Sequence, residues 1–171
     1  HVLAAVGGLA AGGLGRRWVL TDIGERFLAA PAPQQVWYLF STWWTEINWA
    51  IADPFNVDDF YMQSGFPRLI LKHLRDLPVE ELVRFEPFAD QQIAGANMVF
   101  PAQVQERAWE ILRNFIERVV IEPLAVFGIL QLVNEPHKIL GAEYPELTAF
   151  RVTPFGRSLL DAISDVMNGQ Q

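Results

Sequence analysis

Apolar positions recur at helical spacing through most of this chain, and twice a short apolar strand runs directly into such a stretch. Residues 34–52 predict a helix whose Trp37, Phe40, Trp44 and Ile47 share one face, with Trp43 and Trp49 widening it until most of the surface is buried. Residues 67–77 predict a second helix, with Ile70, Leu74 and Leu77 on the apolar side and Arg68, Lys72 and Arg75 opposite. A short helix follows over 78–85, then a polar connection over 86–100 with a short strand at 97–100. Pro101 opens a long helix to Ile121 with Val104, Ala108, Ile111, Leu112, Phe115 and Val119 as its core face. Glu110, Arg113 and Glu117 on its other side are spaced to pair locally. Residues 122–127 form a nearly all-apolar short helix, and 57–65 are irregular or a short helix.

The two strand-to-helix passages repeat one pattern. The first reads Arg17-Trp18-Val19-Leu20-Thr21-Asp22-Ile23-Gly24-Glu25-Arg26-Phe27-Leu28, the second Phe150-Arg151-Val152-Thr153-Pro154-Phe155-Gly156-Arg157-Ser158-Leu159-Leu160. Thr21 and Thr153 stand where a hydroxyl can accept an orphan N–H of the helix start. Pro154 suits the first helical position, and Asp22 suits the positive end of the helix dipole. Gly24 and Gly156 are poor helix formers, so a close approach of neighbouring backbone is the reason for them. Upstream, Leu3-Ala4-Ala5-Val6-Gly7 parallels Leu124-Ala125-Val126-Phe127-Gly128, each a helix end stopped by Gly. A short Gly-rich link follows in the first copy. In the second, an apolar run at 129–133, a polar loop at 134–146 and a strand at 147–152 follow. Each copy is thus helix, strand, variable loop, strand, capped helix. The fold class expected is mainly α with small β-hairpins, an α+β chain.

Helix, two-stranded hairpin and a Thr-x-x-Gly exit resemble winged-helix modules. More narrowly, the stretch from Trp109 to Leu160 is similar to the tandem winged-helix regions of bacterial proteins related to the N-terminal part of XPB-type helicases. The residues that carry the resemblance are Trp109, then Glu122-Pro123-Leu124-Ala125-Val126-Phe127-Gly128-Ile129-Leu130, then Val152-Thr153-Pro154-Phe155-Gly156. Leu28-Ala29-Ala30-Pro31-Ala32-Pro33 before a Trp-rich helix also resembles that group. The resemblance implies three regions. Residues 1–30 are the C-terminal part of a first winged-helix-like unit, 31–100 a Trp-rich helical linker region, and 101–171 a second winged-helix-like unit. The incomplete first unit and the start at His1 predict that the sequence is a piece of a longer protein.

Composition narrows the chemistry. The chain has 171 residues, 51% of them hydrophobic and 19% charged, enough apolar mass for a core and too little charge for a disordered chain. It has no Cys, which excludes disulfides and Cys-ligated zinc and fits the cytoplasm. The apolar stretch 119–133 is broken by Glu122 and Pro123, so no membrane span is expected. His1, His73 and His137 lie on unrelated segments; Asp53, Asp58 and Asp59 lack the rest of a calcium loop; no phosphate-binding Gly-Lys-Ser/Thr motif is present. No catalytic residue, metal site or cofactor is therefore expected.

Charge decides between partners. Net charge is -7, against the cation excess that duplex binding uses. The second loop carries His137 and Lys138 among Glu135, Glu143 and Glu146, an acidic wing. A non-catalytic module that engages a protein partner, or other domains of the same chain, is the first expectation. DNA binding is the alternative, through Arg16, Arg17, Arg68, Lys72, Arg75, Arg113 and Arg151. Thr21, Gly24, Thr153 and Gly156 are assigned to structure.

Overall fold

The computed structural model describes residues 2–13, 15–46, 66–96 and 107–168. Contacts divide the chain into two compact units, His1–Asn48 and Trp49–Gln171. The chain is mainly helical with two small antiparallel sheets.

The first unit runs α1 (Val2–Val6), β1 (Ala10–Gly13), β2 (Arg16–Leu20), α2 (Asp22–Ala29) and α3 (Ala32–Glu46). β1 and β2 form a hairpin pairing Ala10 with Leu20 and Ala11 with Val19. α3 is the Trp-rich helix expected over 34–52; it begins two residues earlier, and Ile47 and Trp49 lie outside the described residues. Its buried Phe40, Trp43 and Trp44 form the core with Leu9, and the Phe40 and Trp43 rings stack 6.2 Å apart. Tyr38 donates its hydroxyl hydrogen to the Gly7 carbonyl and so ties α3 to the end of α1. α3 therefore shares a unit with the first thirty residues, whereas the sequence grouped it with 31–100.

The second unit runs α4 (Phe66–Asp76), β3 (Val83–Arg84), α5 (Phe85–Gly95), α6 (Ala108–Phe115), a π-helical stretch (Ile116–Ile121), α7 (Glu122–Val126), β4 (Leu130–Ile139), β5 (Ala142–Val152) and α8 (Pro154–Asn168). Its sheet is antiparallel in the order β3-β5-β4. Fully buried Phe66, Phe115, Phe150, Ile70, Leu112 and Leu160 fill the core. Phe66 stacks on Phe115 at 6.0 Å, and Phe88 meets Phe150 edge-on at 5.1 Å. Each such side chain contributes on the order of 2 kcal/mol by leaving water.

Three expectations for this unit are corrected. The short helix at 78–85 is absent. Glu80 takes a positive φ of 64°, which no helix accommodates, and Val79 bridges to Val152 while Val83 and Arg84 pair with Phe150 and Ala149. The polar connection at 86–100 is helical as far as Gly95, because Phe85, Phe88, Ala89, Gln92 and Ile93 bury one face; the strand expected at 97–100 lies outside the described residues. The polar loop at 134–146 is instead the outer half of a long hairpin, closed by Leu140 and Gly141. The long helix is described from Arg107 and continues without a break into α7 through the π turns. Pro123 supplies a reason: it has no N–H for the carbonyl four residues back and its ring crowds that carbonyl, and a wider turn relieves both. The stretch 57–65 lies outside the described residues.

Candidate functional site

The repeated motif is the same joint built twice. In the second unit Thr153 Oγ1 donates to the Gly128 carbonyl (2.7 Å) and accepts the Gly156 N–H (2.8 Å). The Thr153 N–H reaches the Ile129 carbonyl at 3.0 Å. In the first, Thr21 Oγ1 donates to the Gly8 carbonyl (2.6 Å) and accepts the Gly24 N–H (3.0 Å), while the Thr21 N–H reaches the Leu9 carbonyl at 3.1 Å. A Cβ on either Gly24 or Gly156 would fall 2.1 Å from a carbonyl oxygen, that of Leu9 or of Ile129. The close approach expected for these glycines is thus present. The upstream alignment shifts by one residue: Gly8 (φ 65°), not Gly7, corresponds to Gly128 (φ 75°). Thr21, Gly24, Thr153 and Gly156 all sit in these joints, with no side-chain group left to meet a ligand.

The basic candidates divide between the two units. Arg16 and Arg17 lie exposed on β2 in the first unit. Arg68 and Lys72 lie exposed on α4 in the second. Arg75, on the same helix, is half-buried and pairs with Asp76 at 3.3 Å. Arg113 is occupied: its Nε and Nη2 reach Asp90 Oδ1 at 2.8 and 2.6 Å, and its Nη1 lies 3.6 Å from Glu86. The local pairs expected for it within its own helix give way to this link between α6 and α5. Arg151 stands in β5 opposite Gln131, half-buried, with its Nε shielded and without a hydrogen bond among the described residues.

The outer half of the β4–β5 hairpin is exposed. Near its tip His137 Nδ1 lies 3.0 Å from Glu146, and Lys138 Nζ 3.4 Å from Glu143. The wing's two basic side chains are therefore matched by its own acids, and Glu135 faces Glu146 across the strands. Pro136 faces Pro145. At the turn Leu140 has φ 51° and full exposure, and Gly141 has φ 85°. Two successive positive φ values mark the turn type that favours Asn-Gly, so a leucine there is costly locally. Sequence reasoning missed Leu140; its signal was an apolar residue before Gly in the middle of a polar run.

At the base of the wing, Glu117 is held above the ordinary carboxylate range. Burial is the main cause; Arg118 opposes it, and Glu122 and Glu146 add to it. Elsewhere, His73 Nδ1 hydrogen-bonds the fully buried Gln92, which joins α4 to α5 and gives this histidine a packing role. Among the described residues no three His, Asp or Glu side chains group to hold a metal ion, and no helix is long and apolar enough to cross a membrane. No protein-family model, curated protein or solved structure matches this chain.

Proposed function

We propose that this chain is a non-catalytic, tandem winged-helix-like module of a larger cytoplasmic protein and that it mediates protein–protein interaction or assembly. The second unit's order of helix, short strand, helix, helix and hairpin supports the winged-helix reading, as does the recurrence of the hairpin-to-helix joint in the first. One observation carries the functional part: the long wing is acidic, its His137 and Lys138 are each paired with one of its own glutamates, and its tip holds out Leu140 at a positive φ. A wing that meets phosphates needs spare Lys and Arg. A wing that meets a protein uses an apolar anchor with a polar rim.

The test is capture of partners from the source organism by the wild-type chain and by a Leu140→Asp, Glu143→Lys variant. A partner held by the first and lost by the second is expected; equal retention removes the wing as the contact. The adjacent exposed Arg16 and Arg17 favour a second reading, duplex binding. Titration with duplex DNA at low and moderate salt is expected to give no salt-dependent affinity. Salt-dependent binding abolished by Arg16→Glu and Arg17→Glu would put the DNA reading first.

A further inference from the structure

The three-stranded sheet of the second unit has one face in the core. Phe150 marks it: the ring is fully buried, meets Phe88 edge-on, and has Val83 and Leu132 opposite it on the neighbouring strands. Successive residues of a strand point to opposite faces, so Ala149 and Arg151 belong to the other face. The register sets Arg84 opposite Ala149 and Gln131 opposite Arg151, and both Arg84 and Gln131 are exposed. Arg84 and Arg151 are therefore diagonal neighbours across β3 and β5, about 7–8 Å apart and within reach of each other's long side chains. Arg75, Arg107, Arg113 and Arg118 each pair with a carboxylate. Among the described residues the side chains of Arg84 and Arg151 make no ion pair or hydrogen bond. Arg151 is half-buried with its Nε shielded, so its guanidinium is held in place before any ligand arrives.

We propose that this face of the sheet binds an acidic segment of a partner protein, with two carboxylates at alternate positions of an extended chain bridging Arg84 and Arg151. This rests on the reading of the chain as an interaction module and names the chemistry of a second contact. Two like charges at neighbouring sheet positions repel. A bridging pair of carboxylates removes that repulsion and fills guanidinium donors with charge-assisted bonds. Spacing selects the segment: side chains at i and i+2 of an extended chain share a face and stand roughly 7 Å apart, which matches the arginine pair. Apolar surface lies alongside. Leu82, two residues before Arg84, is 61% exposed, and half-buried Val133 stands opposite Ala149. An extended polyanion fits less well. β4 and β5 continue into the wing with Glu135, Glu143 and Glu146, and a nucleic-acid strand laid along them would carry its phosphates past those carboxylates. A two-carboxylate segment ends at the arginines.

The probes are acetyl-Gly-Glu-Val-Glu-Gly-amide and its Gln-Val-Gln counterpart, titrated into the ¹⁵N-labelled chain. Expected are shifts at the Arg84, Ala149 and Arg151 amides and at both arginine Nε–H signals, with the glutamate peptide bound roughly fivefold more tightly. Arg84→Gln, a change at an exposed position, should remove most of that preference. Arg84→Glu combined with Arg151→Glu should transfer it to a Lys-Val-Lys peptide; the single Arg84 variant keeps the test decisive if the double one unfolds. No shifts on this face at millimolar peptide, or equal affinity for the two peptides, overturns the proposal. Shifts confined to Arg16 and Arg17, or to Arg68 and Lys72, overturn the site. Inorganic phosphate or duplex DNA that displaces the peptide at lower concentration overturns the acidic protein as occupant. A negative titration alongside intact wing-dependent capture removes this face and leaves the proposed function standing; a positive titration with failed capture keeps the face and removes the wing.

Discussion

Gly156 lies so close to the Ile129 carbonyl that a Cβ on it would stand 2.1 Å from the oxygen. Gly24 has the same relation to Leu9. Backbone cannot yield as a flexible side chain does, so Gly156→Ala forces the start of α8 away from the hairpin. The expected loss is about 3 kcal/mol, the upper end for overpacking, read from urea unfolding of the second unit. Gly95→Ala is the control: among the described residues its Cβ would meet only Leu69 Cδ2, at 4.0 Å, and stability should be unchanged or rise by about 0.5 kcal/mol.

Thr153→Ala removes both the cap on the Gly156 N–H and the bond to the Gly128 carbonyl. A cost of about 1–2 kcal/mol is expected. Thr153→Ser keeps the oxygen and should recover most of it. Equal losses for the two variants would show that the methyl group, not the hydroxyl, matters.

Leu140→Asn should act in opposite directions on stability and on binding. Asn tolerates the positive φ of this position, so thermal unfolding should show a gain of about 1 kcal/mol. The exposed apolar tip is lost at the same time, so partner capture should weaken. A variant that is stabilised and still binds fully would take Leu140 out of the contact.

Glu117 makes stability fall as pH rises. Below the ordinary carboxylate range both folded and unfolded chains carry the proton. As pH climbs through that range the unfolded chain releases it first, while burial keeps it on the folded one. The folded state then binds more protons, and the unfolding free energy declines until pH passes the raised folded value. Glu117→Gln should match the wild type in acid, exceed it at neutral pH and flatten the decline, as followed by urea midpoints across pH. A parallel decline in both proteins would exclude Glu117 as its source.

What the sequence made legible was local. Thr21 with Gly24, and Thr153 with Gly156, are each spaced within a single helical turn, and a Gly where propensity disfavours it pointed to the backbone contact that is found. The one-residue slip upstream arose because Gly7 and Gly8 are adjacent, and only φ tells the left-handed one apart. β3 was illegible because two residues become a strand only through Phe150 and Ala149, far along the chain. The long hairpin was missed because it is exposed on both faces toward its tip, which erases the alternation of period two, and because Asn134, Pro136, Gly141 and Pro145 read as breakers. The pairing of Arg113 with Asp90 depends on how α5 packs on α6, which no spacing within one helix reveals.

The facing prolines of the wing have a consequence for aggregation. In a hairpin closed by a two-residue turn, the pair next to the turn exchanges hydrogen bonds and every second pair beyond it does so again. Ile139–Ala142, His137–Tyr144 and Glu135–Glu146 are those pairs, so Pro136 and Pro145 fall between them, with their nitrogens turned outward. The ladder loses nothing, while each outer edge loses a donor at mid-length. A long, solvent-facing ribbon would otherwise recruit copies of itself strand by strand. With a proline on each side, the outer half of the wing offers a copy of itself no unbroken row of donors to pair with.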